Sequence, residues 1–232
     1  MEKFNSVNWG DVRASLDARG FVHIPSVLSQ DDCSELISLY NREQLFRSTI
    51  NMQRYRFGQG EYKYFNYPLP EIVQSIRERF YPELVSVAND WMNRLGEDAN
   101  FPDTLGEFLA RCHAKEQLRP TPLILRYEVG GYNTLHQDIY GDVFFPFQIV
   151  FMLTQPGKDY EGGELVFVEQ LPRAQSRAEV ILPEVGDAVI FTTNFRPVKG
   201  SRGFYRARMK HGVSAIKKGI RFTMGVIFHD AN

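Results

Sequence analysis

The chain has 232 residues, of which 43% are hydrophobic and 24% are charged, and its net charge is −1. This composition is that of an ordinary globular protein, long enough to bury a core without disulfide or metal staples. With a net charge near zero, the protein surface as a whole is not expected to bind polyanions, although local basic patches are still possible. The two cysteines, Cys33 and Cys112, are far apart in the sequence, so we predict neither a disulfide framework nor a CxxC metal site.

No targeting or membrane segment is visible in the sequence. The N-terminal stretch "MEKFNSVNWGDVRASLD" lacks the apolar region of a secretory signal. No apolar run reaches the length of about 18 residues that a membrane helix needs. We therefore expect no membrane partner and a cytoplasmic location.

The first half of the chain predicts mainly helices. "NWGDVRASLDARG" has the pattern of an amphipathic helix that ends at Gly20, and after the short apolar run "FVHIPSVL" comes Ser29, a typical N-cap before acidic residues. Apolar residues at spacings of three and four continue through residues 70–96, and residues 102–117 give one more helical pattern.

After Pro120 the pattern changes to strands. Short runs rich in β-branched and aromatic residues are separated by Gly, Pro, Asn and Asp. About seven or eight such strands favour a sandwich or barrel over βαβ units. We predict one α+β domain over residues 1–232, in which residues 1–118 are mainly helical and pack outside a jelly-roll core at 119–232.

Candidate metal ligands occur in "YNTLHQDIYGD" and "KHGVSAI". His136 and Asp138 are two residues apart, which places both side chains on one face of a strand and leaves Gln137 pointing away. Alone, this pair is a weak signal, and a polar turn or a hydrogen-bonded histidine is the more common interpretation. With His211 it becomes two histidines and one carboxylate, the facial set that suits non-haem Fe(II) and leaves coordination positions open.

A candidate anion site follows in "GIRFTMGVIF". On a strand, Arg221 and Thr223 face the same way with Gly225, whereas Phe222, Met224 and Val226 face the other way. An arginine inside a barrel is costly unless it meets an anion, and its guanidinium matches a carboxylate through two hydrogen bonds. The alternative is an arginine at the rim in a surface ion pair.

The HxD pair, the distal histidine and the Arg-x-Thr pair together resemble the Fe(II)- and 2-oxoglutarate-dependent dioxygenases. "YEVGGYNTLHQD", "YEGGELVF" and "EVGDAVIF" are similar to segments of that superfamily, the second to its prolyl-hydroxylase-like branch. More narrowly, "GQGEYKYFNYPLP", "QSRAEV" and "GVIFHD" resemble a prokaryotic family of predicted oxygenases that has been proposed to demethylate damaged DNA bases oxidatively. This resemblance covers most of the chain.

The resemblance implies a double-stranded β-helix, a jelly-roll of the cupin type, and an enzyme that hydroxylates a C–H bond with release of succinate and CO2. It implies that Fe(II) is held by His136, Asp138 and His211, which would also be the catalytic residues. The co-substrate 2-oxoglutarate would pair with Arg221, helped by Thr223 and, as a further donor, Tyr127. O2 would complete the reactants.

Two segments mix basic and aromatic residues in the way that suits phosphates and stacked bases. They are residues 47–65 and residues 195–210, and the second leads directly into His211, so we expect it near the opening of the site. The predicted substrate contacts are Arg54, Tyr55, Tyr62, Tyr64, Arg206 and Arg208.

Three functions stay open at this point. The first is an oxygenase of alkylated nucleobases in DNA. The second is a hydroxylase of an amino acid, a peptide or another small molecule, which the similarity of "EGGEL" to prolyl hydroxylases slightly favours. The third is a non-catalytic barrel used as a binding module, and the intact set of His136, Asp138, His211 and Arg221 counts against it.

Overall fold

The computed structural model describes residues 2–232, and its helices precede most of its strands. Within that range four α-helices are formed: α1 Trp9–Arg19, α2 Gln30–Leu39, α3 Glu71–Arg94 and α4 Leu105–His113. The predicted caps are present, because Gly20 ends α1 in the left-handed conformation and Ser29 forms a capping box with Asp32 at the start of α2. None of the helices in residues 2–232 combines the length and the apolar character that crossing a membrane requires.

Four strands lie in the N-terminal part: β1 Phe21–Ile24, β2 Phe46–Asn51, β3 Gly58–Gln59 and β4 Glu61–Phe65. Eleven more follow: β5 Leu123–Tyr127, β6 Tyr132–His136, β7 Phe147–Met152, β8 Tyr160–Gly162, β9 Leu165–Gln170, β10 Arg177–Ile181, β11 Ala188–Thr192, β12 Phe195–Gly200, β13 Gly203–Val213, β14 Ile216–Gly219 and β15 Arg221–Ile227.

The strands form two main antiparallel sheets. The larger has the order β1-β11-β7-β15-β5-β4-β2, and the smaller has the order β10-β9-β13-β6-β3, with β12 paired to β13. A short pair, β14-β8, stands apart from both. The predicted α+β fold with a jelly-roll core is therefore confirmed.

The large sheet is covered on both faces, and the central strand β7 shows why. All six of its residues are buried, as expected for a strand with no face toward water. Ile149 and Phe151 point into a core shared with the helices. Val150 and Met152 point into a second core between the two sheets. Gln148 shares the face of Val150 and Met152, so this polar side chain is directed between the sheets.

The helical part of the chain also contributes strands to the large sheet, of which the sequence predicts only the short strand between the first two helices. Strand β1 forms one edge of the large sheet, and β4 pairs with β5 to extend its other side. β4 was missed because Lys63 sits in its middle, as in a surface segment. In the structure Lys63 is buried, and its ammonium donates to the Tyr40 carbonyl and to Glu43.

The C-terminus is fixed to α3 by a buried polar cluster. Asp230 is fully buried, and its carboxylate lies 3.1 Å from the guanidinium of Arg77, which is also fully buried. The Tyr67 hydroxyl and the His113 imidazole contact the second carboxylate oxygen at 2.9 and 3.0 Å. This cluster ties the end of the chain, just after β15, to the helical layer.

Removing the carboxylate should therefore destabilise the fold strongly. Asp230→Ala leaves Arg77 buried without its counter-charge, which typically costs about 3–5 kcal/mol of unfolding free energy. Asp90→Ala is the control, because its ion pairs with Arg13 and Arg94 are partly exposed and such pairs contribute at most about 1 kcal/mol. Urea unfolding measures both variants, and equal losses would contradict the importance of the buried cluster.

Candidate metal and co-substrate site

The structure brings the three predicted metal ligands together. His136 ends β6, Asp138 lies two residues farther, and His211 on the neighbouring β13 stands opposite His136 in the register. Asp138 Oδ2 lies 3.1 Å from His211 Nε2, and Asp138 Oδ1 lies 3.5 Å from His136 Nε2. One donor atom from each residue lies within 4.8 Å of the others, so a single cation can contact all three.

The protonation of this group suits a metal ion. Burial opposes ionisation of Asp138, but the hydrogen bond and the charge of His211, with help from Gln148, outweigh it, so the pKa of this carboxyl lies well below its ordinary value. Burial and the neighbouring His136 lower the pKa of His211. A carboxylate and neutral imidazoles are the forms that bind metal.

The ligands are also oriented by their neighbours. His136 Nδ1 lies 2.7 Å from the Thr134 carbonyl, and because a carbonyl only accepts, Nδ1 carries the proton and Nε2 presents its lone pair to the metal position. The Asp138 N–H donates to the Thr193 carbonyl. The Gln137 side-chain amide donates to the carbonyls of Asn194 and Met209. It therefore binds backbone groups and does not serve as a metal ligand.

The sequence leaves two interpretations of Gln148, a structural residue or one that faces the cavity, and the structure places it in the cavity lining. Its Nε2 donates to Asp138 Oδ2 at 2.8 Å, while the Tyr140 hydroxyl donates to Oδ1 at 2.9 Å. The available signal was the single polar residue in the apolar run "FFPFQIVFML". Tyr140 had no comparable signal, because it lies in a turn that is polar for other reasons.

A cavity of about 250 Å³ lies between the two sheets, and the side chains of the three predicted metal ligands line it. Arg221 and Thr223 face it together with Gly225, whereas Met224 and Val226 pack in the core on the helical side, as strand alternation predicts. The other polar or aromatic side chains around the cavity include Phe57, Tyr62, Tyr64, Tyr127, Tyr140 and Gln148.

Arg221 is a buried cation without a counter-ion. Its side chain is 1% exposed, and it forms no ion pair with any residue in the part of the chain that the structure describes. Its Nε and the hydroxyls of Tyr127 and Tyr160 lack hydrogen-bond partners there, and the guanidinium carbon lies 5.7 and 5.9 Å from the centres of those two rings. The alternative of a rim arginine in a surface ion pair is therefore wrong. Unpaired donors around a buried positive charge form a site for an anion with several acceptor oxygens.

Tyr160 belongs to this group although sequence reasoning did not select it. It begins the stretch "YEGGEL", in which Gly163 has φ +67°. A Cβ added at Gly163 would come within 2.9 Å of Arg221 Cδ and closer still to Ile216. The absence of a side chain at Gly163 therefore leaves space for the Arg221 side chain. The "YEGGEL" stretch was a sequence signal from which Tyr160 could also have been selected.

The two predicted substrate segments lie in different places. Tyr62 and Tyr64 line the cavity, and Tyr55, more than half exposed, stacks on Phe57 at a centroid distance of 5.6 Å. Arg54 precedes Tyr55 in the same 3-10 turn. Of this group only Phe57 lines the cavity, and Tyr55 and Arg54 lie outside its lining.

Arg206 and Arg208 do not line the cavity. Between residues 206 and 211 of β13 the buried residues are Ala207, Met209 and His211, so the alternate arginines face outward. Arg206 forms an ion pair with Glu97 beyond the end of α3. Proximity in sequence to His211 did not bring this segment to the opening.

Comparison with known proteins gives two kinds of relative. The model of the Oxygenase-NA family, described as an oxygenase catalysing oxidative methylation of damaged DNA, matches residues 60–231. The uncharacterized protein Rv2227 of Mycobacterium tuberculosis strain H37Rv, and its counterpart MT2286 in strain CDC 1551, are each 45% identical over 167 residues, which is 72% of this chain and 72% of theirs.

Solved structures share the fold at low identity. An oxidoreductase of the 2OG-Fe(II) oxygenase family from Burkholderia pseudomallei superposes with a TM-score of 0.60 at 15% identity, covering 98% of this chain and 95% of its own. A prolyl-4-hydroxylase from Pseudomonas putida gives 0.58 at 14% identity over 97% and 100%. A prolyl hydroxylase from Trichoplax adhaerens, solved with a peptide fragment of hypoxia inducible factor, gives 0.57 at 15% identity over 94% and 87%.

Replacing Arg221 should separate stability from co-substrate binding. Arg221→Leu removes an unpaired buried charge, so the protein without ligands should unfold at the wild-type temperature or above. The wild type with Mn(II) should gain stability when 2-oxoglutarate is added, since a ligand that binds only the folded state stabilises it. Arg221→Leu should lose that gain in a thermal unfolding assay. A full 2-oxoglutarate shift in Arg221→Leu would show that the anion binds elsewhere.

Proposed function

The chain belongs to the oxygenase family whose model it matches over residues 60–231, and on this basis we propose that it oxidises alkyl groups on damaged nucleobases. The predicted family and enzyme class are confirmed by that match, and the predicted double-stranded β-helix by the 2OG-Fe(II) oxygenase structures. The donor sets present fit the cofactor and co-substrates expected from the sequence: Fe(II), 2-oxoglutarate and O2.

The observation that carries the proposal is the pairing of two sites in one cavity. His136, Asp138 and His211 offer two imidazoles and one carboxylate to a cation from one side, which leaves the cavity side for other ligands. Arg221, with the hydroxyls of Tyr127 and Tyr160 beside it, holds unpaired donors for a carboxylate. A small molecule with a carboxylate at each end satisfies both, and 2-oxoglutarate has this form.

Fe(II) with 2-oxoglutarate and O2 supplies the oxidation, in which one oxygen atom enters a substrate C–H bond, the other enters succinate, and CO2 is released. The residues of the chain bind, orient and exclude water. His136, Asp138 and His211 hold the metal, and Arg221 with Thr223 orients the co-substrate. The apolar side chains Met52, Leu125 and Val150 line the cavity and limit water there. On an N-methyl group, hydroxylation gives N–CH2OH, which loses formaldehyde and leaves the N–H base.

The aromatic side chains beside the metal position support a nucleobase as the substrate. Tyr62 and Tyr64 pack edge to face at 5.3 Å on the cavity wall, and Phe57 extends the aromatic surface toward the exposed Tyr55. Arg54 adds a positive charge next to Tyr55. Stacking surfaces with a neighbouring cation suit a base and its phosphate, and the buried reaction position requires the base to be unpaired or flipped out.

Loss of a metal ligand should abolish turnover. His136→Ala removes one of three ligands, so we expect succinate release with Fe(II), ascorbate and 2-oxoglutarate to fall to background. His23→Ala is the matched control, because His23 bonds to Asp187 and does not line the cavity, and its rate should equal that of the wild type. Unchanged turnover in His136→Ala would remove the metal assignment, and absence of turnover in the wild type with every substrate class would favour a binding module.

The substrate is tested with oligonucleotides that carry 1-methyladenine or 3-methylcytosine. Formaldehyde release should be faster from single strands than from duplexes. Tyr55→Ala should raise the KM for the single strand about 5- to 150-fold, which corresponds to the loss of about 1–3 kcal/mol per stacked base. The KM for 2-oxoglutarate should not change, because Tyr55 does not line the cavity that contains Arg221.

Arg54→Ala and Arg208→Ala separate the two basic segments. Removing Arg54 should weaken oligonucleotide binding and reduce its salt dependence, whereas removing Arg208, on the outer face of β13, should do neither. If Arg208→Ala is the damaging change, the outer face binds the strand. If no formaldehyde appears from any alkylated oligonucleotide while succinate release is stimulated by amino acids or peptides, the enzyme is a hydroxylase of that class.

A further inference from the structure

We propose that Gln148 and Tyr140 are positioning residues that fix the carboxylate of Asp138 for metal binding, one residue holding each carboxylate oxygen. This inference rests on the proposed function, since it concerns the same metal site. It assigns a role to two side chains that no sequence motif had singled out for the metal site.

Gln148 reaches Asp138 from a rigid part of the fold. It lies on β7, between β11 and β15, and its backbone stands opposite Phe191 on one side and Ile227 on the other. The side chain is 4% exposed and donates from Nε2 to Asp138 Oδ2 at 2.8 Å. A donor anchored in the middle of a seven-stranded sheet holds its partner in a fixed position.

Tyr140, two residues after Asp138, contacts the other carboxylate oxygen, Oδ1. Its hydroxyl donates to Asp138 Oδ1 at 2.9 Å. The hydroxyl of Tyr64, on β4, lies 3.4 Å from the Tyr140 hydroxyl, and the Tyr140 ring lies 6.0 Å from that of His229. The tyrosine that donates to Oδ1 is therefore supported by Tyr64 on the cavity wall and by His229 in the segment after β15.

The two donors together determine the orientation of the carboxylate. Asp138 lies beyond the end of β6, so strand pairing does not fix its side chain. A free carboxylate can rotate and present either oxygen, or both, to a cation. With Oδ1 facing His136 and Oδ2 facing His211, each donor fixes one oxygen without adding a second negative charge.

Partners that orient metal ligands typically contribute about 10- to 100-fold in metal affinity or activity. A buried glutamine whose hydrogen bond matters only for folding would behave differently. Gln148→Met keeps the length of the side chain and removes the donor. Since the neighbouring residues of β7 are apolar, the metal-free variant should unfold at the wild-type temperature or above while its metal affinity falls.

The experiment titrates the metal-free protein with Mn(II) and follows the EPR signal of the unbound ion. Gln148→Met and Tyr140→Phe should each raise the Mn(II) dissociation constant about 10-fold or more. Tyr132→Phe, which removes a hydroxyl from a half-exposed tyrosine on β6, is the matched control and should bind as the wild type does. At saturating Fe(II), the KM for 2-oxoglutarate should stay unchanged in all three variants.

Wild-type Mn(II) affinity in either variant overturns the assignment for that residue. His136→Ala distinguishes this failure from failure of the proposed function. If His136→Ala also binds Mn(II) as the wild type does, the metal site itself is wrong. If His136→Ala loses binding while Gln148→Met and Tyr140→Phe retain it, the metal site stands and only the positioning role falls.

Discussion

A buried guanidinium with no counter-ion is the constraint on which the site depends. Burying a charge without a partner is strongly unfavourable, yet Arg221 is 1% exposed in the middle of a folded core. Gly163 leaves space for its side chain, and beside it lie two tyrosine hydroxyls that also lack partners among residues 2–232. Such an arrangement is consistent with a binding partner that brings the missing negative charge.

The metal ligands and this cation are brought together by the pairing of strands. Antiparallel pairing of β6 with β13 places His136 opposite His211, and pairing of β15 with β5 places Arg221 opposite Tyr127. The two pairs belong to different sheets, and the cavity is the space between them. The jelly-roll therefore supplies both halves of the site, and within the described range 2–232 no residue of α1 to α4 lines the cavity.

Much of the site could be predicted from the sequence because it follows local rules. The spacing of two in His136-x-Asp138 and in Arg221-x-Thr223 is strand periodicity, and the glycines marked the turns. Local signals mark Gln148 and Tyr160, but their partners, Asp138 and Arg221, depend on how distant strands stack and cannot be predicted from a local pattern. That Arg206 and Arg208 face outward and do not line the cavity could not be predicted for a related reason, since being close to His211 in sequence does not decide which face of β13 a residue occupies.

The most direct test is a crystal structure of the protein with Mn(II) and 2-oxoglutarate in the absence of O2. The metal is expected between His136, Asp138 and His211, with the distal carboxylate of 2-oxoglutarate on Arg221 and within hydrogen-bond distance of Tyr127 or Tyr160. A metal bound elsewhere, or a 2-oxoglutarate that leaves Arg221 unpaired, would contradict the proposed oxygenase site.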